Sequence, residues 1–347
     1  MTGTPDSFAD TPDVLAEMLR AVRLTGAVFF NATFSAPFGV LSPRRFDPGL
    51  PMAHLRHISV FHMVVSGGCT FEAASGRRRG VTAGDLLLIP FADQHKFWNG
   101  DGVDMAPVPS FLQPGPIEGM WAARHGGGGE QTRMLCGFLE SSEFLGMPLF
   151  RGLPELLVAR VGDGKIGELM ASTVRQVMAL VEQGSPGAQN MLGRMMELLF
   201  VEMLRRYAAG LPEGSKGWLA ALNDPVVGRA LRRVHTEPAR KWTADSLARE
   251  AGSSRTVLAE RFNALLGQPP IEYVTVWRIQ LAAERLRNGR DSVAAIADDV
   301  GYESEAAFAR AFKRVTGLTP GQWRSGAGDS PELMPLQFRR PLIPDPA

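Results

Sequence analysis

The sequence predicts a multidomain α+β protein: a β-barrel, then a helical hairpin, then an all-α C-terminal domain. Three observations support this prediction. Short apolar segments alternate with Gly and Pro turn signals from about Val28 to Glu140, and the apolar spacing becomes helical from Lys165 to Tyr207. A helical pattern then occurs twice between Thr243 and Pro320. A chain of 347 residues is also longer than a single hydrophobic core usually serves.

Composition excludes several classes of protein. The chain is 45% hydrophobic and 21% charged, as in ordinary globular proteins, and its longest apolar run, Leu86–Phe91, is far too short to cross a membrane. Two cysteines cannot form a disulfide framework. The first residues carry no basic stretch followed by an apolar one, so no secretory signal is expected and we predict a cytoplasmic protein. The net charge of +1 does not by itself indicate a nucleic-acid partner.

The first predicted domain comprises residues 1–164. Four apolar segments are expected to be strands of this domain: Val28–Phe30, Ile58–Val65, Gly84–Phe91 and Met134–Leu139. Glycine clusters between them indicate turns, and many short strands at this spacing favour a sandwich or a barrel. The segment Asp101–Gly119 holds four prolines and is predicted to be a long loop.

Residues 165–210 are predicted to form a helical hairpin that is broken at Gly184–Gly187. The two apolar stripes are expected at Ile166, Leu169, Met170, Val174, Val177 and Leu180, and at Met191, Met195, Leu198, Leu199 and Met203. This excess of Leu and Met leaves a surface to bury, either against the barrel or in a homodimer interface, and both interpretations stay open. Ala208–Gly217 is the predicted linker to a domain of residues 218–325, and residues 326–347 are predicted to be a flexible tail.

The C-terminal domain contains an internal repeat. The segment Leu247–Gly252 is echoed by Ile296–Gly301, and the following residues align as well. Ser254 matches Ser304, Leu258 matches Phe308, Phe262 matches Phe312, Gly267 matches Gly317 and Pro270 matches Pro320. Thr243 and Ser292 are expected to cap the first helix of each copy, and Ser254 and Ser304 the second. With a glycine turn between its two helices, each copy has the pattern of a helix-turn-helix motif.

The segment between the copies, Ile271–Asn288, is predicted to be one helix about 27 Å long. A rigid spacer of this length is suited to hold two recognition helices about 34 Å apart, one turn of DNA, on one face of the duplex. Local charge agrees with this prediction. Trp218–Arg324 contains 16 Lys and Arg against 12 Asp and Glu, so the near-neutral total hides a basic domain.

The segment Val293–Arg324, together with Trp242–Gly267, closely resembles the signature of AraC/XylS-type transcription regulators. The resemblance implies two helix-turn-helix units that enter adjacent major grooves of promoter DNA. It also implies a sequence-specific regulator, with RNA polymerase as a further candidate partner. Activation is the expected mode of regulation, and repression stays open as the alternative.

The second helix of each copy is expected to read the DNA. Leu258 and Phe262, and likewise Phe308 and Phe312, are predicted to point inward. The outward candidates are Arg255, Thr256, Ala259 and Glu260 on the first helix, and Glu305, Ala306, Ala307, Arg310 and Lys313 on the second. Glutamate can accept from cytosine N4, alanine can meet the thymine methyl, and Arg310 can reach guanine or a phosphate. Arg255, Lys313, Arg314 and Arg324 are better suited to phosphates or to ordinary solvated faces.

The segment Gly84–Asn99 resembles the second motif of cupin barrels, with Pro90, His95 and Asn99 at the motif's positions and a departure only at Ala92. The upstream motif, which holds metal ligands in metal-binding cupins, is poorly matched. One histidine of that motif can correspond to His54, but Arg56 and Val60 occupy the other ligand positions.

A pair of histidines keeps a metal hypothesis open in the first domain. His62 shares a strand face with Val60, since side chains alternate along a strand, and is expected to point toward His95. His62 and His95 are therefore candidate ligands of a divalent metal, with His54, Cys69 or Cys136 as a further ligand. The other interpretation is that both histidines are hydrogen-bonded residues of the core.

The first domain as a whole resembles the cupin-like N-terminal domain of one AraC-type subgroup, through stretches such as Phe61–Val64, Gly84–Asp85 and Leu135–Gly137. This resemblance implies a sensor of a small-molecule or redox effector, with His62, His95, Cys69 and Cys136 as candidate pocket residues. Redox sensing by either cysteine requires an accessible thiolate, whereas buried apolar cysteine is the commoner case.

The leading hypothesis is a cytoplasmic, homodimeric transcription regulator that is controlled by an effector and is not an enzyme. The first alternative is a metal-dependent cupin enzyme fused to a DNA-binding domain. The metal content of the purified protein distinguishes this alternative from the leading hypothesis. The second is a regulator that senses oxidants through cysteine. The third is an architectural DNA-binding protein with an inert barrel, for which no effector changes the affinity for DNA.

Overall fold

The computed structural model describes residues 29–43, 58–115, 120–140, 152–162, 164–212 and 214–326. The chain divides into two compact units: an N-terminal unit of Arg23–Ser141 with Leu153–Gly210, and a C-terminal unit that includes Leu211–Ala347. The helical hairpin thus belongs to the same compact unit as the strands. Within the described part of the chain, no helix is long and apolar enough to span a membrane.

The strands of the N-terminal unit are short and follow the predicted positions. They are β1 (Phe29–Ser35), β2 (Phe38–Leu41), β3 (Ile58–Ser66), β4 (Gly68–Glu72), β5 (Arg78–Thr82), β6 (Asp85–Ile89), β7 (Lys96–Asn99), β8 (Ala106–Pro107), β9 (Leu112–Pro114), β10 (Met120–Gly126), β11 (Gln131–Glu140) and β12 (Leu157–Arg160). The four predicted segments correspond to β1, β3, β6 and β11, although β1 is longer than predicted. The loop prediction for Asp101–Gly119 is wrong in part, because β8, a 3-10 helix at Val108–Phe111 and β9 lie there.

These strands form two hydrogen-bonded sheets rather than a closed barrel. One sheet has the order β12-β6-β3-β11-β1-β10-β9, and the other has the order β5-β4-β7-β2-β8. Within the larger sheet, β1 pairs with β10 in parallel and with β11 antiparallel. Proline explains two of the open edges, since Pro107 in β8 and Pro114 in β9 have no N–H with which to continue a ladder.

The apolar faces of both sheets contribute to one core. Phe34 and Phe38 stack with ring centroids 5.2 Å apart, and Phe30 meets Phe138 edge to face at 5.5 Å. The same cluster of buried residues contains side chains of the smaller sheet, including Phe71 and Phe97. The core therefore lies between the two sheets, where a ligand cavity would also have to lie.

The predicted hairpin consists of α1 (Gly164–Glu182) and α2 (Ala188–Ala209), which pack against each other. Buried residues recur along α2 with a spacing of four, at Leu192, Met196, Phe200 and Leu204. Met191 and Leu198 are 50% and 63% exposed, so part of the predicted apolar stripe of α2 is left uncovered in this chain. The side chains of Ile166, Leu169, Met170 and Val177 lie outside those the structure describes.

The C-terminal unit is helical within its described residues. Its helices are α3 (Trp218–Asn223), α4 (Val227–Thr236), α5 (Ala244–Glu250), α6 (Arg255–Leu266), α7 (Pro270–Asn288), α8 (Val293–Asp299), α9 (Glu305–Thr316) and α10 (Pro320–Arg324). The predicted spacer is α7, and the two predicted motifs are α5–α6 and α8–α9. The predicted tail beyond Gly326 lies outside the described residues.

The four predicted helix caps are confirmed. Thr243, Ser254, Ser292 and Ser304 each accept a hydrogen bond from the backbone N–H three residues further along, at 3.0 to 3.3 Å. The turn of each motif passes through a glycine in the left-handed region, Gly252 at φ +62° and Gly301 at φ +86°. Equivalent chemistry at equivalent positions gives two motifs of the same local design.

The spacer helix α7 contributes to the core of each motif. Tyr273 meets Phe262 of the first motif edge to face at 6.0 Å, and its hydroxyl accepts a hydrogen bond from Trp218. Further along α7, Ile279 and Leu286 are buried in the cluster that holds Phe308 and Phe312 of the second motif. One helix thus carries residues of both cores.

Candidate nucleic-acid interface and ligand cavity

The first recognition helix, α6, exposes the predicted side chains at its N-terminal end. Leu258 and Phe262 are fully buried and fix which face points inward. Arg255, Thr256 and Glu260 are exposed and Ala259 is half-buried. The first two turns of α6 therefore present a mixed surface of one cation, one hydroxyl and one carboxylate, which suits the edges of bases and the phosphates beside them.

The second recognition helix, α9, repeats this arrangement with different chemistry. Phe308 and Phe312 are fully buried. The outward set comprises Glu305, Ala306, Arg310 and Lys313, which are exposed, and Ala307, which is half-buried. Because one helix face carries both Arg310 and Lys313, α9 is better equipped for phosphates than α6 is.

Val257 on α6 is an exposed apolar residue that the sequence prediction omits. It is 39% exposed on the first turn, between Thr256 and the buried Leu258. The available signal is the period of the helix, since a residue adjacent to Leu258 cannot share its inward direction. A branched apolar side chain at this place is suited to contact the methyl group of thymine.

Two arginines of α6 are held by carboxylates. Arg261 donates to Asp224 at 2.9 Å, and Arg255 lies 3.7 Å from Asp245. Both residues of the Arg255–Asp245 pair are about two-thirds exposed, so this contact is weak and leaves Arg255 free to move to a phosphate. Arg261 is better anchored, because Asp224 also accepts from the backbone of Val226 and Val227.

A cavity of about 60 Å³ lies between the two sheets of the N-terminal unit. Side chains of both sheets line it, among them Phe30, Phe34, Val60, Phe97, Met134 and Phe138. The polar members of its lining are Ser42, His62, His95 and Cys136. The cavity therefore favours an apolar ligand and offers few hydrogen-bonding groups.

His62 and His95 meet in this lining, as the alternation along β3 predicts. Their Nε2 atoms are 2.7 Å apart, so one ring donates to the other. The Nδ1 of His95 lies 2.8 Å from the carbonyl oxygen of Asp93, which can only accept, and this assigns a proton to Nδ1 of His95. His95 then accepts at Nε2, His62 donates from Nε2, and Nδ1 of His62 is a bare acceptor.

Burial keeps this pair neutral. It lowers the pKa of His95 to about 4, and it lowers the pKa of His62 well below its usual value, with the nearby His95 adding to the effect. The Nδ1 atom of His62 is buried and has no hydrogen-bond partner among the described residues. A ligand that carries a donor would satisfy this nitrogen.

The described residues do not fit a metal centre. A separation of 2.7 Å between two nitrogens is a hydrogen bond, whereas two nitrogens on one tetrahedral zinc are about 3.3 Å apart. Among the residues that the structure describes, no three His, Cys, Asp or Glu side chains form a group that could hold a metal ion. His54, the other candidate ligand, lies outside the described residues.

Both candidate redox cysteines are in environments that disfavour the thiolate. Burial raises the pKa of the Cys69 thiol to about 12. It also raises the pKa of Cys136, with the nearby Cys69 adding to the effect. Because the thiolate is the species that reacts with oxidants, neither cysteine has the low pKa of a sensor thiol. The hydrogen-bonded histidine pair is thus the more distinctive polar feature of the cavity.

Comparison with known proteins extends over both units. Residues 13–209 match the cupin family and residues 247–326 match a helix-turn-helix domain. An AraC-like transcription regulator of Streptomyces lividans is 44% identical over 158 residues, which is 44% of this chain and 52% of that protein. The transcriptional regulator AlkR of Acinetobacter baylyi is 29% identical over 276 residues, 76% of this chain and 87% of that one.

Among solved structures, the DNA-binding domain of the global transcriptional factor AdpA, in complex with a target DNA, is 25% identical with a TM-score of 0.29. The match covers 30% of this chain and 92% of that domain. The chain spans about half the length of the first curated relatives that it matches, 52% and 42%. The match to the cupin family extends over more than half of this chain.

Proposed function

We propose that this chain, which belongs to the cupin family and carries a helix-turn-helix domain after its cupin domain, is a sequence-specific transcription regulator of the AraC/XylS type, controlled by a ligand of its N-terminal cavity. The observation that carries this proposal is the pair of capped recognition helices, α6 and α9, each anchored by two buried side chains and each presenting polar side chains outward. Two such helices on one spacer suit two major grooves of promoter DNA.

The proposed DNA contacts differ between the two helices. Glu260 and Glu305 are proposed to accept from cytosine N4, and Val257 with Ala306 to meet thymine methyl groups. Arg310 is proposed to reach guanine or a phosphate. Arg255 and Lys313 are proposed to bind phosphates, which gives affinity and register without sequence information.

The experiment is capture of genomic DNA fragments by the purified full-length protein, followed by salt titration of binding to the enriched fragment. We expect enrichment of a few sites, and an affinity that falls linearly with salt on a log–log scale because phosphate contacts release counterions. A scrambled fragment of the same length is the control. Equal binding to both fragments, or an affinity independent of salt, would contradict the proposal.

We further propose that the ligand is an apolar molecule with one hydrogen-bond donor. The apolar lining favours hydrocarbon, and the bare Nδ1 of His62 favours a single hydroxyl or N–H group. A charged ligand is disfavoured, because the neutral histidine pair offers it no counter-charge. Binding would shift the population of the protein that is competent to bind its operator, in either direction.

A thermal-shift series tests the ligand class. Alkanols of increasing chain length are compared with alkanes and carboxylates of the same length. We expect the melting temperature to rise most with the alkanols and not at all with the carboxylates, because a ligand of the folded state stabilises it by mass action. Equal stabilisation by carboxylates would contradict this ligand class.

A homodimer and the division of the chain belong to the same proposal. Met191 and Leu198 lie two turns apart on α2, and their exposure supports a role for this face in pairing two chains. Pairing would raise the effective concentration of the second DNA-binding domain at a promoter. The proposal also includes domain limits near residues 164, 210 and 325, activation through RNA polymerase and a cytoplasmic location. It includes no catalytic role.

A further inference from the structure

Arg278 on the spacer helix α7 holds carbonyl oxygens of the segment that leads into the first helix-turn-helix motif and of the turn of the second. Its Nε donates to the carbonyl of Pro238 at 2.7 Å, and one terminal nitrogen donates to that of Arg240 at 2.7 Å. The other terminal nitrogen donates to the carbonyl of Gly301 at 3.1 Å. Pro238 and Arg240 lie just before α5 of the first motif, and Gly301 is the turn of the second. One half-buried guanidinium therefore joins the two motifs.

The segments that Arg278 joins also touch each other directly. A side chain at Gly301 would place its Cβ 2.4 Å from the carbonyl oxygen of Ala239, so the two backbones are in contact. Next to this contact, Lys241 and Glu303 form an ion pair at 2.5 Å. That pair is about four-fifths exposed on both sides and contributes little, which leaves the backbone contact and Arg278 to fix the junction.

The residues before α5 are tied to the rest of the first motif. Arg240 donates to Glu250 at the end of α5 at 2.8 Å and lies over the ring of Trp242, with its guanidinium carbon 4.4 Å from the ring centroid. Trp242 in turn donates to the carbonyl of Glu237 at 2.9 Å. A displacement at Arg278 would therefore be transmitted to α5 and to the recognition helix that follows it.

The chemistry of arginine suits this position. Its guanidinium is planar and rigid and directs several N–H groups at fixed angles, so three carbonyls fix its orientation. A lysine has one flexible ammonium and cannot hold three acceptors on two segments in the same geometry. The spacer helix sets the distance between the two motifs and packs into the core of each. The junction beside it adds a second point of attachment, which restrains rotation of one motif about the other.

We propose that Arg278 is a positioning residue that locks the orientation of α9 relative to α6, so that the two recognition helices require one fixed spacing between their half-sites. This proposal rests on the proposed function, because a half-site spacing presupposes DNA binding. It adds that the DNA-binding domain acts as one rigid body rather than as two motifs on a hinge. Arg278 itself touches no base or phosphate in this scheme.

The test compares operators in which one base pair is inserted or removed between the two half-sites. An inserted pair moves one half-site by about 3.4 Å and rotates it by about 35°. For the wild-type protein we expect each change to weaken binding by about tenfold or more. For Arg278→Gln we expect weaker binding to the parent operator and a spacing penalty of less than about threefold, because each motif then adapts separately.

Two variants serve as controls. Arg285→Gln also removes one charge from α7, but Arg285 binds Asp291 and Asp299 within the second half of the domain, so its spacing penalty should equal that of the wild type. Arg278→Lys should show a spacing penalty between that of Arg278→Gln and that of the wild type. A loss of affinity in Arg278→Gln that is equal for all spacings would overturn the proposal, since a merely structural role predicts that result.

A second measurement needs no DNA. Spin labels are attached at Asn263→Cys on α6 and Lys313→Cys on α9, both exposed positions, in a chain with Cys69→Ala and Cys136→Ala. We expect a narrow distance distribution that Arg278→Gln broadens and Arg285→Gln does not. An unchanged distribution would overturn the proposal. If Arg278→Gln broadens the distance distribution but the wild type selects no DNA, the proposed function is overturned and the junction at Arg278 is not.

Discussion

The buried histidine of the C-terminal unit, His235, should make the stability of that unit depend on pH. Its Nε2 lies 2.8 Å from the hydroxyl of Tyr273, which also accepts from Trp218 at 2.9 Å, and its ring lies 4.0 Å from that of Trp277. The hydroxyl proton of Tyr273 is thus donated to His235. Because Nε2 accepts, the proton of the neutral ring lies on Nδ1, which is buried with no partner among the described residues. A second proton would have to bind Nε2, where it would break the hydrogen bond from Tyr273.

The expected magnitude follows from the pKa of His235, which burial lowers from 6.5 to about 3. The unfolded chain binds this proton more readily than the folded one, so the free energy of unfolding rises with pH between the two pKa values. Acidification therefore destabilises the fold from about pH 6.5 downward. Between pH 7 and pH 5 this group alone should remove about 2 kcal/mol of stability.

The assay is urea unfolding of the full-length protein at pH 7 and pH 5, followed by tryptophan fluorescence. His235→Phe keeps a ring against Trp277 but cannot be protonated, so it should lose about 2 kcal/mol less than the wild type does between the two pH values. Tyr273→Phe is the control: it removes the hydrogen bond but leaves His235 buried, so it should keep the pH dependence. If His235→Phe and the wild type lose equal stability, burial of a neutral histidine is not the cause.

The remaining predictions concern the motif turn, the cavity and the DNA contacts. In urea unfolding, Gly301→Ala should lower the free energy of unfolding by more than about 2 kcal/mol, because φ is +86° and the new Cβ would meet the backbone of Ala239. Gly252→Ala should lower it by only about 1 kcal/mol, because its Cβ would meet only a side chain, at 3.4 Å. Ala123 lines the cavity, so Ala123→Phe should fill it and abolish both the thermal shift by alkanols and any effect of alkanols on operator affinity. A retained shift would place the ligand elsewhere. Lys313→Gln should weaken binding to all DNA sequences alike and reduce the slope of log affinity against log salt concentration by about one. Glu305→Gln should instead relax selectivity at one base pair by about 1–3 kcal/mol in competition binding. A change of selectivity in Lys313→Gln would contradict the assignment of Lys313 to a phosphate.

Local features of the fold were predictable from sequence because local rules set them. A hydroxyl residue directly before a helix usually caps its N-terminus, and a glycine directly after a helix usually ends it. Ser254 and Ser304 follow the first rule. The inward direction of Leu258, Phe262, Phe308 and Phe312 follows from a spacing of four. The approach of His62 to His95 was also within reach, since β3 alternates with period 2.

Other features depend on contacts between distant segments and carry no such signal. The spacing of the strands predicted a sandwich or a barrel but not which strand edges pair, and Pro107 and Pro114 lie on two edge strands. The role of Arg278 was not predictable, since its partners are backbone carbonyls that any sequence would supply. The exposure of Val257, by contrast, did have a local signal, because its neighbour Leu258 points inward.

The junction at Arg278 bears on how a weakly basic domain can bind DNA specifically. With 16 cations against 12 carboxylates, neither motif alone has many charges to offer phosphates. If the motifs were hinged, binding of the second would require its orientation to be restricted on the DNA, and part of its binding energy would offset that entropy. When Arg278 restricts the orientation before binding, the contacts of the second motif with DNA no longer have to offset that loss of entropy. A rigid junction therefore substitutes for charge, and it does so only on operators of one spacing, which makes spacing itself a source of specificity.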